Sequence, residues 1–64
     1  MKTQLSEQEV HALQEKIVLE GWLPTYEGFS LHIYEARYEV DGELYTFYSA
    51  LGKDELPIVE RSER

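Results

Sequence analysis

Tyr34-Glu35-Ala36-Arg37-Tyr38-Glu39-Val40-Asp41-Gly42-Glu43-Leu44-Tyr45-Thr46-Phe47 is the stretch whose reading decides the fold. Asp-Gly stands between two runs rich in aromatic and β-branched residues. Both central residues of a type I′ turn need positive φ, and Asp-Gly supplies that at low cost, so the pair predicts a tight β-hairpin. The strands are expected at about 29–40 and 43–51. A two-residue turn pairs Val40 with Glu43, Tyr38 with Tyr45, Ala36 with Phe47 and Tyr34 with Ser49. The competing type I turn with a glycine bulge would set Glu39 against Glu43, and like charges directly opposite are unfavourable. The I′ register is therefore the expected one.

Because strand side chains alternate, this register sorts the hairpin into two faces. One carries Tyr34, Ala36, Tyr38, Val40, Tyr45 and Phe47. The other carries Ile33, Leu44, Tyr48 and Ala50, mixed with Glu35, Arg37, Glu39 and Thr46. The first strand shows an irregularity: Phe29, Leu31 and Ile33 alternate on one parity, and Tyr34 to Val40 on the other. A β-bulge at Ile33-Tyr34 would let both halves face one core.

Upstream, the sequence spells a helix from about 7 to 20. Ser6 and Glu9 form a Ser-x-x-Glu capping box, with Leu5 and Val10 placed to close a hydrophobic staple. Glu7 and Glu9 suit the positive end of the helix dipole. Gly21 can end the helix in the left-handed conformation, and Pro24 prevents a restart. Val10, Leu13 and Ile17 make the apolar stripe, with Val18 on its flank and Ala12 and Leu19 on nearly the opposite side. In the connector 21–28, Trp22 and Leu23 are expected to cover one end of the core.

Downstream, Leu56-Pro57-Ile58-Val59 reads as a short third strand, at an edge where proline is tolerated. Residues 60–64 read as a frayed tail. The expected architecture is α+β: a single domain over 1–59, with the helix packed on the hairpin.

Sixty-four residues without a cysteine leave neither disulfides nor thiolate metal sites to support so small a core. Ordering costs roughly 1.5 kcal/mol per residue, so close packing or self-association must supply the margin. A homodimer is the expectation. The 13 Asp and Glu outnumber the 6 Lys and Arg, a net charge of −7. That charge argues against direct nucleic-acid binding and against anionic membranes. No apolar run is long enough for a signal peptide or a membrane span, which points to a cytoplasmic protein.

Motifs for chemistry are weak. No serine lies in a Gly-x-Ser-x-Gly elbow, and Gly52-Lys53 lacks a phosphate-cradling loop. Glu7, His11 and Glu15 share a helix side at four-residue spacing, but a solvated helix face explains them without a metal. His32 falls in a strand beside Ser30. Neither enzymatic activity nor any cofactor or metal is expected. What one helix cannot cover is the second hairpin face, where Ile33, Arg37, Leu44, Thr46 and Tyr48 form a candidate partner-binding patch. The expected function is that of a small acidic interaction or regulatory domain. The alternative is an acidic nucleic-acid mimic, such as a phage-type anti-defence protein, built on Glu35, Glu39, Asp41 and Glu43.

Overall fold

In a computed structural model, residues 2–52 and 54–62 are described. They form one helix and five strands: β1 (Lys2–Gln4), α1 (Glu7–Glu20), β2 (Tyr26–Ser30), β3 (Ile33–Val40), β4 (Glu43–Ala50) and β5 (Ile58–Ser62). The strands make one antiparallel sheet in the order β1-β5-β4-β3-β2, so the class is α+β.

The helix forms where its caps dictate. The Glu9 amide donates to Ser6 Oγ at 3.3 Å, and the Ser6 amide donates to Glu9 Oε1 at 3.0 Å. Those bonds, with help from Arg61, hold the Glu9 carboxyl below its usual range. Gly21 closes the helix at φ 74°, and the Trp22 amide returns to the Ile17 carbonyl. Leu5, Val10, Leu13 and Ile17 bury against Ala36, Val40, Phe47 and Val59. The turn at Asp41-Gly42 has φ of 53° and 80°, as a type I′ turn requires, and the β3–β4 register is the expected one throughout.

Around this hairpin the sheet is larger than the sequence suggests. The expected strand 29–40 is two strands. Leu31 and His32 turn the chain, so the change of phase at Ile33-Tyr34 is a second hairpin and not a bulge. Leu31 takes φ 53° at the first turn position, a place where glycine is favoured. Tyr26, Glu27 and Gly28, expected in the connector, belong to β2.

The third strand is displaced as well. It spans Ile58–Ser62 instead of 56–59, and it lies inside the sheet between β1 and β4. Pro57 precedes it, so no ladder hydrogen bond is lost. The supposed tail therefore contributes Glu60–Ser62 to a strand, and residues 63 and 64 lie outside the described ones. β1 was not foreseen; it pairs with β5 as an edge. Trp22 packs on the core and donates from Nε1 to Glu20, whereas Leu23 is exposed and covers nothing. No helix among the described residues is long and apolar enough to cross a membrane.

Candidate functional site

α1 covers one face of the sheet; among the described residues nothing lies over the other. Pairing fixes which residues occupy that open face. One row crosses all five strands as Tyr26, Arg37, Thr46, Glu60 and Gln4. The next holds Gly28, Glu35, Tyr48 and Ile58, and a third holds Glu39, Leu44, Ser62 and Lys2. Ile33 and Ala50 lie at the end near the β2–β3 turn.

The five candidate partner-binding residues thus share one face. Thr46 lies at its centre, only 5% exposed, shielded by neighbours on both flanking strands. Leu44 and Tyr48 are half-buried, and Ile33 and Arg37 are exposed. The sequence reading missed Tyr26 and Ile58, which extend the patch from β2 and β5 and are about half exposed. Tyr26 belongs to a strand that the sequence reading lacked, and Ile58 to one whose place beside β4 it did not give.

Arg37 organises one side of the face. Its Nη2 lies 3.0 Å from Glu35 Oε2, its Nε donates to the same oxygen at 3.2 Å, and its Cζ stands 4.8 Å from the Tyr26 ring centroid. Gly28 makes room for that ring, since a Cβ there would meet the Tyr26 hydroxyl at 2.6 Å. The guanidinium is therefore held between a carboxylate and an aromatic ring.

Charge is distributed unequally. The open face carries Lys2 and Arg37 against Glu35, Glu39 and Glu60, a net of −1 in a chain of −7. The four acids of the mimic reading do not form one comb. Glu35 and Glu39 project on the open face, Asp41 lies in the turn and Glu43 is on the helix side. Lys16 Nζ lies 2.8 Å from Asp41 and 3.3 Å from Glu20, which raises the lysine's pKa.

His11 and His32 are both exposed, one on α1 and the other in the β2–β3 turn. Among the described residues no three His, Asp or Glu side chains come together as metal ligands. No family model matches the sequence, and no curated protein or solved structure is significantly similar to it.

Proposed function

We propose that the chain is a non-enzymatic protein-interaction domain, regulatory in role, that works through the open face of its sheet. The observation carrying this reading is a five-strand-wide face over which no described residue packs as a layer. Tyr26, Ile33, Leu44, Tyr48 and Ile58 supply apolar area there, and the charge is close to balanced. Apolar residues interleaved with a few ordered polar groups are the composition of a partner surface.

A second copy of the chain suits this face well. Arg37 and Glu60 lie in one row on either side of Thr46. A two-fold axis running along β4 therefore brings Arg37 of one chain over Glu60 of the other, with Leu44 and Tyr48 against their mates. The bulk of the negative charge stays outside that contact. Cytoplasmic action belongs to the same proposal, since a cysteine-free chain gains nothing from an oxidising compartment. The mimic alternative has less support, because its carboxylates diverge over two faces.

The test is affinity capture from a lysate at low and high ionic strength, with Leu44→Glu and Tyr48→Glu as variants shown to be folded by circular dichroism. Apolar docking at the open face predicts capture that survives high salt and is lost in both variants. Capture abolished by salt but unaffected by either variant would reject it in favour of the acidic reading.

A further inference from the structure

The helix side of the sheet is also only partly covered. Five strands spaced about 4.8 Å apart put roughly 19 Å between the outer ones, whereas a helix with its side chains is about 10 Å across. One helix therefore covers about half of the face. Between the Gln14–Val18 flank of α1 and strands β3 and β4 this leaves a trough of about 380 Å3. Tyr34, Ala36 and Phe47 belong to its floor, and Ile17 and Val18 to its helix wall. Among the described residues, none of the nine that line it is charged. Val18 is 78% exposed on one side, and on the other Phe29, in ring contact with Tyr34, is 72% exposed.

We propose that this trough receives one amphipathic helix of a different, basic protein. The helix-side residues of β2, Glu27 and Phe29, are exposed beside the trough, and an uncharged aromatic floor suits the apolar stripe of a helix. The trough is open along the β2 side, so a small molecule would stay largely in water. A phosphate or carboxylate would find no cation among the described lining residues. The α1 of a second copy is a poor occupant, because its solvent side carries Glu7, His11 and Glu15 around Ala12 and Leu19, and those polar groups would have to be buried. Charge completes the choice. Glu27 stands on β2 at the rim, accepting a hydrogen bond from Tyr34, and the chain carries −7, so lysines or arginines beside the stripe are favoured.

The test uses a synthetic peptide of about four helical turns, with leucines at i, i+3, i+4 and i+7 and lysines elsewhere. Amide chemical shifts of the full chain are followed during its titration. The expected result is perturbation confined to Gln14–Val18, Phe29–Ala36 and Ser49. Affinity should fall at least about tenfold in Val18→Gln and Phe29→Gln, both at exposed positions that the fold does not need. A matched leucine–glutamate peptide should bind at least about tenfold more weakly. Absence of binding, shifts centred on Arg37, Thr46 and Tyr48, or equal binding of the acidic peptide would overturn the proposal. A dimer of the free chain dispersed by Val18→Gln would overturn it too, by making a second copy the occupant. These variants and those of the open-face test lie on opposite sides of the sheet, so the two proposals fail separately.

Discussion

Phe47 and Tyr48 are neighbours on β4, both aromatic, yet one is 7% exposed in the core and the other half-buried on a face with nothing over it. The same contrast separates Ala36 from Arg37 on β3. Strand alternation assigned these residues to two faces; the helix then decided which face became the core. The comparison teaches that in so small an α+β chain, apolar content alone does not mark the interior. A covered face is a folding device, and an uncovered face of similar composition is free for another role.

The comparison is tested most severely at β4. Phe47→Ala should cost about 3–5 kcal/mol, enough to unfold much of the population of a domain this small. Tyr48→Ala should cost no more than about 1 kcal/mol when the chain is dilute. Urea titrations of both variants check this, and equal losses would mean that the open face is as well packed as the core.

A smaller effect is expected at the β2–β3 turn. Leu31 is 93% exposed and held at φ 53°, so its side chain contributes little while its backbone is strained. Left-handed backbone costs an L-residue about 1–2 kcal/mol, and glycine gives back about 0.5–1 through its unfolded-state freedom. Leu31→Gly should therefore raise stability by roughly 0.5–1 kcal/mol. A loss on thermal melting would show that the turn is not built this way.

This turn also explains what the sequence hid. The helix was legible to its ends because Ser6, Glu9 and Gly21 each have a local reason for their position. The β3–β4 register was legible because Asp41-Gly42 admits a compact turn and like charges disfavour its competitor. Leu31-His32 has no glycine, proline or asparagine, so the one trace of a second hairpin was a change of hydrophobic phase. Lys2-Thr3-Gln4 is polar and exposed; its strand character comes from pairing with β5, which no local pattern reports. For the candidate surface, the hairpin residues followed from the register, whereas Tyr26 needed a strand, and Ile58 a position beside β4, that only tertiary pairing reveals. The helix-side trough was illegible for the same reason, since a hairpin with one short edge strand would have left little room beside α1.

The smallest effect is expected at the rim of that trough. The Tyr34 hydroxyl donates to Glu27 Oε2 at 2.7 Å, and this bond, with lesser help from burial and the carboxylate's charge, pushes its pKa from 10.0 to about 12. The folded state thus holds the phenol proton more tightly than the unfolded chain does. The stabilisation is complete below pH 10.0 and disappears as pH rises through about 12. In Glu27→Gln the late-titrating tyrosine should move back toward 10.0, read by ultraviolet difference absorbance. An unchanged titration curve would rule out the Glu27 bond as the cause.

The claim that the open face is an interaction surface, with a second copy as its simplest occupant, is tested most directly by sedimentation velocity at micromolar concentration. The unmodified chain should sediment as a dimer that persists at high salt, and Leu44→Glu should sediment as a folded monomer. A monomeric mass for the unmodified chain across that range, or a Leu44→Glu variant that stays dimeric, would contradict it.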